Sequence, residues 1–253
     1  MSIARRFTTT ACAILSLGAS GAFGATTYAT GFDGPLYTLG NLHGQDGWTM
    51  FGGTGTVTDE RAFSGTQSLL VASTATLGIN YNGATHRLDP NAEDTLFLIN
   101  AGLQWWMQVM VYIPSSGGNG AAMNMGGCPL FQVTGSGQPY PNSCVSHDPA
   151  IPSLAPDVYD KWLLMRIEHP VVNTLDLVFS LTGPGVNFSH TLGSYNGPNS
   201  GQPHTFMLSG NAYFDEFSAG HGPAPAVVPA PPAIWLLLSG LAAISGKVRR
   251  RRV

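Results

Sequence analysis

The feature that most constrains this chain is a series of short segments in which apolar and polar residues alternate, each closed by glycine or proline. The 253 residues include 32 glycines and 18 prolines, which favour turns over long helices. An alternation of period two places one set of side chains on a buried sheet face and the other set on the opposite face. Many short strands of this kind predict an all-β, two-sheet sandwich over residues 25–220. The clearest predicted strands are Thr95–Asn100, Gln104–Ile113, Leu130–Thr134, Lys161–Glu168, Leu175–Thr182, Val186–Leu192, His204–Ser209 and Ala212–Phe217.

Residues 1–24 have the pattern of a secretory signal peptide. Arg5 and Arg6 form a positively charged start, and an apolar stretch follows from Ala11 to Leu17. Ala22 and Gly24 place small residues at the positions before a cleavage site. We therefore expect the chain to be exported, with the folded part beginning at residue 25.

The C-terminus has three consecutive parts. Residues 221–232 form a spacer rich in proline and alanine, which favours an extended conformation. Residues 233–246 are apolar and predict a short transmembrane helix, and residues 247–253 form a basic tail. Cations are retained on the cytoplasmic side, so the body is expected outside. The predicted anchor contains Trp235, Leu236, Leu237, Leu238, Ser239, Gly240 and Leu241, and the tail contains Lys247, Arg249, Arg250, Arg251 and Arg252.

This three-part layout resembles the PEP-CTERM sorting signal of Gram-negative bacteria. The matching residues of its motif are Val228, Pro229, Ala230 and Pro231, with alanine where the family usually has glutamate. The resemblance implies processing by an exosortase, a membrane transpeptidase-like enzyme that removes the tail. It also implies a membrane-anchored precursor that becomes a cell-surface or extracellular matrix protein, associated with exopolysaccharide and biofilm.

The charges of the chain are distributed unevenly. Seven of the 11 Lys and Arg residues lie in the terminal segments, whereas all 14 acidic residues lie between Asp33 and Glu216. Four cations against 14 acidic groups give the body a net charge near -10. Nucleic acid is a poor partner for such a surface, since phosphate binding needs clustered cations. Neutral glycans and divalent metal ions remain compatible with it. The four cationic residues of the body are Arg61, Arg87, Lys161 and Arg166.

The cysteines predict one disulfide. Cys12 lies in the signal peptide, which leaves Cys128 and Cys144 in an exported body. An even number of cysteines in an oxidising compartment favours a disulfide, here expected to contribute about 3 kcal/mol in the chain-entropy model.

Two predicted strands carry aromatic and amide side chains on their second face. On Gln104–Ile113 this face holds Trp106, Gln108 and Tyr112, and on Lys161–Glu168 it holds Trp162 and Arg166. Aromatic rings pack on the C–H faces of sugars, while amides and guanidinium groups bond hydroxyls. These five residues are therefore candidate ligand-binding residues. The alternative is that loops or the other sheet cover this face.

The body also resembles concanavalin-type and carbohydrate-binding-module jelly rolls. The similar motifs are Gly31–Asp33 with Gly44–Trp48, Phe63–Val71, and Ala212–Phe217, whose strand returns beside the first one in that fold. The resemblance implies a jelly roll and a structural Ca²⁺ at Asp33 and Asp215. Asp59 and Glu60 are further possible oxygen donors. Ordinary surface acids at strand ends are the alternative.

No catalytic residues are assigned from the sequence. The Glu-x-Asp-x-x-Glu string of laminarinase-like relatives is absent, as are zinc-binding histidine spacings. Arg166 and Glu168 share one strand face, which a lyase could use but which a plain ion pair also explains. The first interpretation is a non-enzymatic surface protein associated with exopolysaccharide. The alternatives are a polysaccharide lyase or glycoside hydrolase, and a structural matrix protein without a specific ligand.

Overall fold

A computed structural model of the chain describes residues 25–72, 83–87, 104–116, 120–125, 128–141, 151–169, 176–192 and 205–226. The predicted signal peptide, membrane helix and basic tail lie outside these residues, as do the sorting motif and the predicted strand Thr95–Asn100. The predicted disulfide also lies outside them, because neither Cys144 nor the side chain of Cys128 is described. Within the described ranges, no helix has the length and apolar character needed to cross a membrane.

The described residues form an almost purely β structure, as the glycine-punctuated alternation predicts. Apart from one 3₁₀ turn at Gln45–Gly47, their regular structure is extended. The strands are β1 Ala25–Thr30, β2 Gly40–Asn41, β3 Trp48–Phe51, β4 Thr54–Thr58, β5 Ser68–Ala72, β6 Gly83–Arg87, β7 Trp105–Tyr112, β8 Ala121–Met125, β9 Cys128–Val133, β10 Pro139–Pro141, β11 Trp162–His169, β12 Leu177–Gly183, β13 Val186–Leu192 and β14 Thr205–His221.

The strands form two antiparallel sheets that share β14. In the large sheet the order is β13-β12-β11-β7-β14, with β1 and β5 on the far side of β14 and β4 and β2 beyond β5. In the small sheet the order is β3-β6-β14-β8-β9-β10. This arrangement confirms the predicted all-β, two-sheet sandwich of the jelly-roll class.

The core lies between the two sheets and follows the predicted alternation. On β7 the alternate residues from Trp105 to Val111 are buried in it, as is Ile113 directly after the strand, and on β11 Leu163, Met165 and Ile167 are fully buried. Phe131 of the small sheet packs against Phe179 of the large sheet, with ring centroids 5.4 Å apart. Burying each such side chain contributes roughly 1.5–3 kcal/mol.

Strand β14 differs from the prediction. The sequence predicts two strands, His204–Ser209 and Ala212–Phe217, whereas the structure has one continuous strand. Its first half pairs with β6 and β8, and its second half pairs with β1, β5 and β7. Gly210 lies at the crossing with φ of 112°, and a Cβ there would be 2.2 Å from the carbonyl oxygen of Gly120. Glycine thus lets the strand pass from one sheet to the other without a break.

Strand β1 pairs with the end of β14, as the resemblance to jelly rolls implies. The register runs from Ala25 opposite His221 to Thr30 opposite Phe217. The first and last described strands are therefore adjacent. This pairing brings the segment after β1 close to the segment of β14 that contains Asp215.

Candidate functional site

Three neighbouring strands of the large sheet each place one aromatic residue at the same level of its outer face. Tyr213 on β14 is opposite Tyr112 on β7, and Tyr112 is opposite Trp162 on β11. The ring centroids are 6.0 Å apart for the tyrosine pair and 5.7 Å apart for Tyr112 and Trp162. Their edge-to-face packing produces a continuous aromatic row across the strands.

The loop between β4 and β5, residues 59–67, lies over this row. Phe63 packs edge-on against Trp162 at 6.0 Å between centroids. The guanidinium of Arg61 lies 4.5 Å from the ring centroid of Tyr112 and 5.7 Å from that of Tyr213, which is a cation–π geometry. We call Phe63, Tyr112, Trp162 and Tyr213 the aromatic platform.

The platform has a buried floor and an accessible side. Tyr112 and Tyr213 are each 8% exposed, whereas Phe63 is 43% exposed and Trp162 is partly exposed. Arg61 is exposed beside them. A ligand approaching this face therefore meets the rings of Phe63 and Trp162 together with a guanidinium group.

The tyrosine hydroxyls of the floor are fixed by carboxylates. Tyr213 donates to Glu60 at 2.7 Å, and Tyr112 donates to Asp160 at 3.3 Å. Burial raises the pKa of Tyr213, and the hydrogen bond to Glu60 raises it further. The backbone N–H of Ser115 also donates to Asp160, at 3.1 Å, and hydrogen bonds from the side chain and the backbone of Ser115 lower the pKa of that carboxyl. The Asp160 carboxylate is thus an ionised acceptor at neutral pH.

A polar pair lies two residues along the same face. Gln108 and Arg166 are opposite each other, and the guanidinium donates twice to the amide oxygen of Gln108, at 3.0 Å from Nε and 2.6 Å from Nη2. Arg166 is only 5% exposed, and burial lowers its pKa while the charge of Glu168 raises it. The directional bonds of Arg166 therefore go to Gln108 rather than to the carboxylate expected in a plain ion pair.

Of the five predicted ligand-binding residues, four are buried or bonded within the sheet face, and Trp162 remains partly exposed. Trp106 is 1% exposed, and Arg166 and Tyr112 are also buried. Gln108 is partly exposed but holds the guanidinium of Arg166. Trp162 is the member whose ring remains accessible at the platform. The alternative interpretation is that other parts of the chain cover this face. It therefore holds for the part of the face around Trp106.

Asp215 anchors the loop that carries Phe63. Its fully buried carboxylate accepts hydrogen bonds from the backbone N–H groups of Phe63 at 2.8 Å, Ser64 at 3.1 Å and Glu216 at 2.8 Å. The side chain of Glu216 accepts a short hydrogen bond from the Ser64 hydroxyl. Burial raises the pKa of Asp215 to about 6, although the three amide hydrogen bonds lower it.

Asp33, which follows β1, anchors the second half of the same loop. One carboxylate oxygen accepts from the backbone N–H groups of Thr66 at 2.9 Å and Gln67 at 3.1 Å, and from the Thr66 hydroxyl at 3.1 Å. Gly65, which directly precedes Thr66, has φ of 60°, and a Cβ there would be 1.9 Å from the other carboxylate oxygen of Asp33. The close approach of loop and carboxylate therefore requires glycine at this position.

Calcium at Asp33 and Asp215 stays a prediction. Among the described residues no group of three or more His, Cys, Asp or Glu side chains is arranged to hold a metal ion. The two aspartates instead bind backbone amides of the loop, so the donor set as arranged does not form a calcium shell. An increase in the melting temperature when millimolar Ca²⁺ is added to EDTA-treated protein would support the prediction, and an unchanged temperature would reject it.

Sequence reasoning missed Arg61, Phe63 and Tyr213 as parts of this face. Arg61 and Phe63 lie on a loop, where no periodicity indicates which way a side chain points. Their position depends on carboxylates about 150 residues away, which hold the loop amides. Tyr213 had a usable signal, because it lies two residues before Asp215 in the motif that resembles a closing strand.

The fold and this face define an all-β jelly-roll sandwich with an aromatic outer patch. No protein-family model and no curated protein matches the chain. Among solved structures it is similar to a carbohydrate esterase of the Shiga toxin-encoding bacteriophage phi24B, with a TM-score of 0.51 and 10% identity over 79% of this chain and 100% of that chain. This likeness supports the fold alone.

Two further solved structures are similar at lower TM-scores. One is the CBM22-1 xylan-binding domain of Paenibacillus barcinonensis Xyn10C, with a TM-score of 0.38 and 16% identity over 81% of this chain and 100% of that chain. The other is the cellulose induced protein Cip1, with a TM-score of 0.45 and 15% identity over 79% of this chain and 99% of that chain.

Proposed function

We propose that this chain is an exported protein of the cell surface or matrix that binds polysaccharide without modifying it. The observation that carries the proposal is the aromatic platform, with its accessible rings at Phe63 and Trp162. A sugar ring presents an apolar C–H face that stacks on such rings, and its equatorial hydroxyls need polar partners at the edge. Arg61, Glu60 and Asp160 supply donors and acceptors at that edge.

The resemblance of the C-terminal residues to a sorting signal supports the cellular part of the proposal. We propose that residues 1–24 direct export and that an exosortase processes the protein at the motif that begins at Val228. The apolar segment 233–246 and the basic tail 247–253 would hold the precursor in the membrane until then. This order places the polysaccharide-binding body where exopolysaccharide accumulates.

Binding to a glycan array by the full-length protein in mild detergent tests the proposal. Trp162→Ala is expected to weaken binding about tenfold or more, because it removes the central accessible ring of the platform. Leu39→Ala is the matched control, since Leu39 is 54% exposed on another loop. Absence of glycan binding, or equal binding by wild type and Trp162→Ala, would reject the proposal.

The same polysaccharides should be incubated with the protein and assayed for new reducing ends and unsaturated products. Binding without product formation supports the non-enzymatic function. Product formation would instead support the alternative of a lyase or hydrolase on this fold. The buried Trp106 is unsuitable for either assay, because its truncation is expected to destabilise the sheet.

A further inference from the structure

Arg61 differs from the other described cations on this side of the large sheet. The ammonium of Lys161 donates to the carbonyl oxygen of Pro184 at 3.2 Å, and the guanidinium of Arg166 donates to Gln108. Arg61 lies instead over the rings of Tyr112 and Tyr213. Three of the four cations between residues 25 and 220 therefore lie on or beside this face, and the exposed one is Arg61.

The carboxylates near Arg61 are engaged elsewhere. Glu60 accepts from Tyr213, and Asp160 accepts from Ser115 and Tyr112. Hydrogen bonds from Ser115 lower the pKa of Asp160, and the charge of Arg61 lowers it further, so this carboxylate lies within electrostatic reach of the guanidinium. A guanidinium group has five N–H donors in a planar fork that matches a carboxylate, and the guanidinium of Arg61 is exposed beside the two tyrosine rings. Its edge is thus available to an anionic group of a ligand.

We propose that the aromatic platform binds an acidic polysaccharide, with the guanidinium of Arg61 bound to the carboxylate of a uronic acid residue. This inference rests on the proposed function and names its ligand class. The sugar ring stacks on Trp162 and Phe63, while its carboxylate reaches Arg61 across the single ring of Tyr112 that contacts both Arg61 and Trp162.

The negative net charge of the body acts against such a ligand at long range. At physiological ionic strength the Debye length is about 8 Å, so distant acidic groups are largely screened, whereas Glu60 and Asp160 lie at the platform, where they accept hydrogen bonds from the tyrosine hydroxyls. A bidentate guanidinium–carboxylate contact is short-ranged and directional, and cation–π contact with the tyrosines pre-orients the guanidinium. The contact at Arg61 is therefore expected to outweigh the diffuse repulsion.

The test compares polygalacturonate with the same polymer after its carboxyl groups have been reduced to alcohols. Full-length protein in mild detergent is titrated with each polymer by isothermal calorimetry at 0.15 M salt. We expect polygalacturonate to bind about tenfold more tightly than the reduced polymer. Arg61→Gln should remove this difference, whereas Lys161→Gln, the neighbouring cation bonded to Pro184, should keep it.

The outcomes separate this inference from the proposed function. Equal affinity for both polymers, or an unchanged preference in Arg61→Gln, overturns the inference while glycan binding by the platform stands. If the protein binds only neutral glycans on the array, the inference is likewise overturned and glycan binding by the platform stands. Loss of the preference in Lys161→Gln as well would indicate general attraction to polyanions and would also overturn it. If no glycan binds and Trp162→Ala changes nothing, the proposed function itself fails.

Discussion

Asp215 is the residue on which the position of the platform loop most depends. Its carboxylate is completely buried, yet three backbone N–H groups donate to it, two of them from the loop. Burial penalises the ionised form and raises the pKa to about 6, and the amide bonds offset only part of that penalty. The native protein therefore holds a carboxyl group that titrates in mildly acidic solution.

Asp215→Asn is expected to change how stability depends on pH. The native pKa lies above the ordinary value of 3.8, so this group stabilises the fold most below about pH 4 and loses that contribution as the pH rises through 6. Between pH 7 and pH 4, the free energy of unfolding of wild type should therefore rise by about 2 kcal/mol relative to Asp215→Asn. Urea denaturation at several pH values measures it.

The control for this experiment is Leu39→Ala, because Leu39 is 54% exposed on a loop and has no ionisable side chain. Its difference from wild type should stay constant over the same pH interval. Parallel pH profiles for wild type and Asp215→Asn would show that the buried carboxyl does not titrate near pH 6.

Trp106 and Trp162 occupy equivalent faces of their strands but differ in exposure. Alternation correctly placed both on the outer face of the large sheet, since each is opposite to the core residues of its own strand. It could not predict that Trp106 is 1% exposed while Trp162 stays partly exposed. Exposure depends on what packs above the face, and such packing is not encoded in the period of one strand.

At the scale of elements, β14 connects the two sheets. Its pairing partners β6 and β8 belong to one sheet, and β1, β5 and β7 belong to the other. The crossing at Gly210 is further fixed by a hydrogen bond from the backbone N–H of Asn211 to the carbonyl oxygen of Gly120 at 2.9 Å. Backbone packing at this point leaves no room for a side chain.

Gly210→Ala is expected to destabilise the protein by about 2–4 kcal/mol. Its Cβ would be 2.2 Å from the oxygen of Gly120, and the positive φ adds strain. Gly40→Ala is a matched control, because Gly40 has nearly the same φ, 114°, with no atom within 4 Å of the added Cβ. The control should cost only about 1 kcal/mol. Thermal unfolding of both variants measures the difference, and equal losses would argue against the steric explanation.

The elements themselves were predictable where alternation is long. Val186–Leu192 matches β13, and Lys161–Glu168 matches β11 to within one residue. Strands β2, β3 and β4 were missed, since they are short and rich in glycine, threonine and aromatic residues without a clear period. The two segments of β14 were separated because Gly210 and Asn211 resemble a turn, and tertiary pairing overrides that local preference.

At the scale of the whole molecule, the chain combines an acidic sandwich with strongly basic ends. All 14 acidic residues lie between Asp33 and Glu216, and the final cluster from Lys247 to Arg252 holds five cations. Cations next to an apolar run resist translocation, whereas acidic groups have little effect on it. We therefore expect orientation in the membrane to depend on the basic tail together with Arg5 and Arg6 of the signal peptide, and not on the acidic groups of the body.

Replacing Arg249–Arg252 with asparagine is expected to reduce the fraction of precursor whose body lies outside the inner membrane. The reason is the loss of the charges that hold the tail in the cytoplasm. Protease added to spheroplasts should digest the body of the wild-type precursor completely and that of the variant only in part. Arg87→Asn, which changes a cation of the body, should behave like wild type. Complete digestion of the arginine-depleted variant would contradict the predicted orientation.

The shared strand also determines how a mechanical load would enter the sandwich. The chain leaves β14 at His221 and continues toward the proline-rich spacer. Tension on that spacer would pull along the one strand that both sheets hold, and would load its hydrogen bonds with β1 and β7 in shear. A tether attached there would distribute drag over both layers together instead of peeling one edge strand away.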